Sequence, residues 1–107
     1  MLDEDFGNTR DYEKYLEQEI VVVLRDGRYL YGIMKSFDQF NSITLDRVIE
    51  RIFHDEKYAE RKHELFIIRG ENITMIGLGP SDIGRGLVQV DFLVLRNEIL
   101  SSQLQPS

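Results

Sequence analysis

Ile67-Ile68-Arg69-Gly70-Glu71-Asn72-Ile73 places a polar turn between two β-branched runs. Isoleucine favours the pleated, half-buried backbone of a sheet, and glycine tolerates the positive φ that a tight strand-to-strand turn demands. The segment predicts strand, turn, strand, with Glu64 to Ile68 before the turn and Asn72 to Leu78 after it. Arg69 stands where the backbone reverses, so a rigid scaffold would present its planar guanidinium. It also reads as an ordinary solvated side chain. A second turn upstream weighs against that reading.

That turn is Asp38-Gln39-Phe40-Asn41-Ser42, again between strand-like runs. An aromatic ring at the tip of a polar loop leaves apolar area in water, which needs a reason; the alternative is that Phe40 folds back into the core. Asn41 and Ser42 beside it supply donors and acceptors. A ring, an amide, a hydroxyl and a guanidinium together suit one unpaired nucleobase: Phe40 stacks, Asn41 and Ser42 read the edge, and Arg69 stacks or meets phosphate.

Outward from these turns the chain reads as short elements. Asn8 or Thr9 caps a predicted short helix to about Glu19, in which Tyr12, Tyr15 and Leu16 share one face. Ile20 to Arg25 is β-branched and is followed by Asp26-Gly27, a strong hairpin signal. Arg28 to Asp38 alternates imperfectly, with Gly32 marking a bend or bulge. Ser42 to Phe53 reads as a third strand, His54 to Lys62 as a charged loop, and Gly77 to Asp82 as the end of the sheet. Five short strands behind one helix predict a small, strongly bent antiparallel barrel. Its last two strands should be its edges. Leu87 to Val90 could continue as strand. Asp91 then caps a predicted helix from Phe92, whose apolar stripe includes Leu93, Ile99, Leu100 and Leu104 alongside Arg96. The expected division is an acidic arm over 1–7, a β domain over 8–79 and an extension over 80–107.

The 107 residues fit one domain, and with no cysteine neither disulfides nor a thiolate metal site can hold it together. Met1-Leu2-Asp3-Glu4-Asp5 lacks the basic and apolar regions of a secretory signal, and no apolar run is long enough to span a bilayer, so a soluble, intracellular chain with no membrane partner is expected. The net charge of −6 argues against broad binding to a nucleic-acid duplex, but its distribution is uneven. Residues 1–20 carry a net −5 and residues 21–107 only −1, so a local site for a few unstacked nucleotides remains feasible.

The two turns and their spacing resemble the two motifs of the Sm and Sm-like (LSm) proteins. Asp26-Gly27, Gly32, Met34 and Asp38 through Ser42 are similar to the first motif, and Ile68 to Asn72 to the second; the likeness covers roughly residues 8–78. The resemblance implies the Sm fold, a short helix and a bent five-stranded open barrel, and an RNA-binding site at Asp38, Phe40, Asn41, Ser42, Arg69 and Gly70. Leu24 to Arg28, Phe37 to Phe40, Val48 to Ile52, Lys57 to Glu60 and Arg69 to Asn72, with the C-terminal helical extension, look like the subunit that distinguishes the cytoplasmic heptameric LSm ring. Such rings hold oligouridine-rich or deadenylated mRNA 3′ ends and, with a helical-repeat activator protein, promote decapping and 5′-to-3′ decay in the cytoplasm and its P-bodies. One position departs from the pattern. Phe40 takes the stacking slot, but Asn41 falls in an apolar slot and Ser42 where the family usually has the base-reading Asn. Either Asn41 compensates by a local shift, or the pocket is looser and less uridine-selective. The second is favoured, because a one-residue slip flips every side chain after it.

Nothing in the sequence supports an enzyme, a cofactor or a metal. Gly77-Leu78-Gly79 and Gly84-Arg85-Gly86 lack the Lys-Ser/Thr of a phosphate loop. His54 and His63 read as solvated surface residues, and Asp55, Glu56 and Glu60 as a solvated loop. Two functional classes remain: an RNA-binding ring subunit, and an assembly scaffold whose outer helix docks protein partners while its neighbours grip the RNA. The nuclear LSm ring, acting on spliceosomal small nuclear RNA, is the alternative setting.

Overall fold

The computed structural model describes residues 12–79 and 86–104; the acidic arm, the Asn8/Thr9 cap, residues 80–85 and 105–107 lie outside them, as does the Leu104 side chain. Among the described residues six strands form one sheet: β1 (Glu19–Leu24), β2 (Tyr29–Phe37), β3 (Ile43–His54), β4 (Lys57–Ile68), β5 (Ile73–Leu78) and β6 (Val88–Gln89), in the order β5-β1-β2-β3-β4-β6. All pairings are antiparallel except β4 with β6. The sheet bends into the open barrel expected from the sequence, with two-residue β6 added at the β4 edge to the five strands expected, and its register shifts mark the bends: between Val23 and Leu24, between Tyr31 and Ile33, and between Met34 and Ser36. Gly32 sits in the second shift because a Cβ there would meet the Asp46 carbonyl at 3.0 Å. Asp26-Gly27 makes the β1–β2 turn, with Gly27 at φ +94°.

Alternate residues of β1 to β4 point inward. Ile20, Val22, Leu30, Met34, Ile43, Leu45, Val48, Ile68 and Ile73 form one buried cluster, which Tyr12 closes by packing edge-on against Phe37 at 5.7 Å. The predicted N-terminal helix is corrected here. Within the described part of its span, 12–19, only Tyr12–Tyr15 is helical, as one turn of 3-10 helix. It stops because the chain joins the sheet early: Glu17 turns at φ +62°, its N–H donates to the Met34 carbonyl at 2.8 Å, and Leu16 bridges Met34.

The charged loop predicted over His54 to Lys62 is also corrected. Asp55-Glu56 make a tight turn, and β4 runs unbroken from Lys57. Its charges face charges across the pair: Arg51 opposite Glu60 and Glu50 opposite Arg61. Opposite charges placed directly across strands stabilise a ladder that composition alone reads as loop. Arg51 Nε donates to Glu60 at 2.9 Å while its guanidinium lies 5.0 Å from the Tyr31 ring.

The helix α1 (Phe92–Leu104) begins where expected, with the Asp91 carboxylate accepting from Val94 N–H at 3.2 Å. Its buried face differs from the predicted stripe. Phe92 and Leu95, with Ile99 partly covered, pack on Ile52 and Ala59, whereas Leu93, Val94, Arg96 and Leu100 are exposed. Apolar residues lie on several sides of this helix, so periodicity could not choose among them; the position of the β3–β4 hairpin does. Lys57 Nζ to Glu98 at 2.6 Å and Arg61 over the Phe92 ring at 4.1 Å fasten it.

Between the two apolar clusters lies a buried carboxylate, Glu50, 1% exposed. It accepts from Arg28 at 3.0 Å, meets His63 Nε2 at 2.7 Å and lies 3.5 Å from Arg61. Burial would push its pKa up, but the hydrogen bonds of His63 and Arg28 and the charges of Arg28 and Arg61 outweigh that and hold it below the usual carboxylate range. Burial likewise opposes the charge on Arg28, and the Glu50 bond with the Asp26 charge more than restores it, leaving its pKa raised. His63, expected to be solvated, belongs to this network and packs edge-on against Phe66 at 4.9 Å.

Candidate nucleic-acid interface

The two sequence-predicted turns meet in space. In the first, the Asp38 carboxylate accepts from Phe40 N–H at 2.9 Å and Ser42 N–H at 3.0 Å, and Asn41 N–H donates to the Asp38 carbonyl at 3.0 Å. Asn41 turns the chain at φ +64°, a conformation asparagine tolerates better than most residues. Wrapped on its own amides, the loop holds Phe40 outward at 73% exposure. Phe40 has not folded back into the core.

In the second turn, Gly70–Asn72 form a short 3-10 helix between β4 and β5, and Asn72 N–H donates to the Arg69 carbonyl at 3.0 Å. Gly70 is needed for a reason other than the one expected. It is absent from the positive-φ glycines, Gly27, Gly79 and Gly86. Instead, a Cβ at Gly70 would lie 2.7 Å from both the Phe40 and Asn41 carbonyl oxygens. Bare backbone against backbone lets the turns touch. Phe40, Ser42, Arg69, Gly70 and Glu71 then line one open recess.

Of the six sequence-predicted site residues, four line this recess. Asp38 shapes the loop beneath it, and half-buried Asn41 supplies backbone rather than lining. Ser42 therefore occupies the polar position beside the ring. Chemically the recess offers an aromatic face, a hydroxyl and an exposed guanidinium, a set suited to stacking, one hydrogen bond and an anionic oxygen. No group of three or more His, Asp or Glu that could hold a metal occurs among the described residues.

Sequence reading missed Arg25. Its N–H donates to the Asn72 carbonyl at 2.9 Å and its Nε to the Glu71 carbonyl, so it clasps the turn that carries Arg69. Nothing in the spacing of Leu24-Arg25-Asp26 signals this. The contact follows from the β1–β5 pairing, where Leu24 lies opposite Ile73.

Comparison with known proteins agrees with this geometry. Residues 10–78 match the LSM domain. The chain is 44% identical over 63 residues to the LSM1-LSM7 complex subunit lsm1 of Schizosaccharomyces pombe, an alignment covering 59% of this chain and 45% of that protein. The chain thus spans about half the length of that relative. It is 36% identical over 70 residues to the human U6 snRNA-associated Sm-like protein LSm8, covering 64% of this chain and 73% of that one. A heptameric archaeal Sm protein superposes with a TM-score of 0.55 at 29% identity, over 64% of this chain and 94% of the archaeal chain. On the domain match and the barrel together, the chain belongs to the LSm family.

Proposed function

We propose that this chain is a non-enzymatic, RNA-binding subunit of a cytoplasmic heteroheptameric LSm ring. In this reading the ring holds oligouridine-rich or deadenylated mRNA 3′ ends and, with a helical-repeat activator, promotes decapping and 5′-to-3′ decay, including in P-bodies. The observation that carries it is Phe40, held out at 73% exposure over a recess shared with Ser42 and Arg69. Similarity to an LSM1-LSM7 complex subunit supports the mRNA-decay setting. Phe40→Ala removes a stacking surface worth about 1–3 kcal/mol per base, diluted by the other pockets of a ring. Oligouridine binding of the assembled ring should weaken a few-fold to about tenfold, with assembly unchanged. Wild-type affinity in fluorescence anisotropy would leave the scaffold role standing in its place.

Ring membership is supported by the sheet's two ends. β5 lies at one edge, and β6 covers only Lys57 and Tyr58 of β4, leaving Glu64 to Ile68 open among the described residues. Leu65, Ile67, Met75 and Leu78 on these strands are 58–67% exposed. Open apolar edges pair or aggregate. The chain expressed alone should form mixed oligomers by light scattering, cured by co-expression with other LSm subunits; a stable monomer contradicts the ring reading.

A second setting is favoured by the match to LSm8. There the ring is nuclear and acts on spliceosomal small nuclear RNA. Depletion separates the two, since stabilised deadenylated mRNA marks the first and defective small nuclear RNA the second.

A further inference from the structure

The geometry points to Arg25 as a second guanidinium of the nucleotide site, taking a phosphate of the nucleotide whose base rests on Phe40. This deepens the RNA-binding reading and rests on it. Arg25 is anchored twice to the Arg69 turn, through its own N–H to the Asn72 carbonyl at 2.9 Å and through Nε to the Glu71 carbonyl. Arg25 does not itself line the recess, but its Nε is bonded to Glu71, which does. The Nε bond leaves both Nη groups without a partner among the described residues.

The neighbouring carboxylate does not neutralise it. Asp26 faces Arg28, accepting from its backbone N–H at 3.2 Å and from its Nε at 2.9 Å. An exposed arginine whose main chain is tied to the Asn72 carbonyl and whose head group is held by the Glu71 carbonyl, with its donor fork open, is arranged to meet an anion. In a chain of net charge −6, a polyanion needs such local cations. Two arginines also divide the work that one cannot do at once. Arg69 remains free to lie against the base while Arg25 meets the backbone phosphate.

The test uses the full chain co-expressed with LSm partner subunits, with oligouridine binding measured across a salt series. Arg25→Ala should leave ring assembly intact and weaken binding at low salt roughly five- to tenfold. It should also make the fall of log K with log salt shallower by about 0.7, the loss of one single-strand phosphate contact. Arg25→Lys should keep most of that slope. Preference for uridine over adenosine should not change. Phe40→Ala, measured in parallel, should weaken binding with the slope unaltered. If Phe40→Ala weakens binding and Arg25→Ala alters neither affinity nor slope, Arg25 is no phosphate contact and the base pocket stands. If Arg25→Ala weakens binding at an unchanged slope, it only positions the turn and the proposal falls. If neither variant matters, the RNA-binding reading falls with it.

Discussion

Glu50→Ala is expected to destabilise the fold by about 2–4 kcal/mol, the largest single-residue effect outside the apolar core. Removing one partner of a buried ion pair strands the other charges, which is worth about 3–5 kcal/mol when both are fully enclosed. Here the Arg28 and Arg61 side chains keep 35% and 47% exposure, so water recovers part of that loss. The damage should concentrate at the seam between the barrel core and α1, because Arg61 also stacks on Phe92. Chemical unfolding of the assembled protein, read by helical signal, checks this. The pH dependence has a definite sign. The folded-state pKa of Glu50 lies below its unfolded value near 4.5, so its stabilisation is complete above that pH and is lost as pH falls through the lower folded value. Glu50→Gln should lack this acid-dependent component, and its stability should fall less steeply below the same pH.

Gly70→Ala is expected to damage the site more than loss of either side chain it serves. The added Cβ would stand 2.7 Å from two carbonyl oxygens and 2.9 Å from the Asn41 Cβ. Backbone cannot retract as a flexible side chain can, so the two turns must separate. Overpacking of this kind costs about 1–3 kcal/mol in stability. Separation also parts Phe40 from Arg69, so oligouridine binding should fall by more than tenfold, beyond the Phe40→Ala effect. Gly70→Ala binding as well as wild type would show that the turns need not touch for the site to work.

These two positions also show what sequence could and could not reveal. The strands were legible where β-branched runs end in Asp-Gly or Arg-Gly, and Asp91 announced α1. The recess was legible as well, because an exposed aromatic and a turn arginine carry their chemistry in their own side chains. Gly70 was found for the wrong reason: positive φ is a local property, whereas the contact it permits is set by the loop after β2. Glu50 went unremarked within the third strand and His63 was read as solvated, since a network joining the β1–β2 turn, β3 and β4 exists only once the register is fixed. The same charges hid the first half of β4. Lys57 to Lys62 looks like loop until Glu50 and Arg51 are placed opposite Arg61 and Glu60. The buried side of α1 was missed because a helix with apolar residues on several sides has no preferred face until a surface chooses one.

The pairing of β1 with β5 has a consequence for when the barrel can exist at all. β1 through β4 follow one another through short turns and can zip together as they emerge from the ribosome. The β1–β5 pair joins Ile20 to Leu78 and Leu24 to Ile73, so it must wait until the chain has been made through residue 78. Until then the nascent meander carries open edges at both β1 and β4, and closure must overcome the entropy of a long loop. Arg25 cannot yet clasp Glu71 and Asn72, so the recess beside Phe40 forms only after β5 has been made. The nascent chain is thus most vulnerable to mispairing just before the barrel closes, and any partner that takes the β4 edge early would act as a folding template as well as a neighbour.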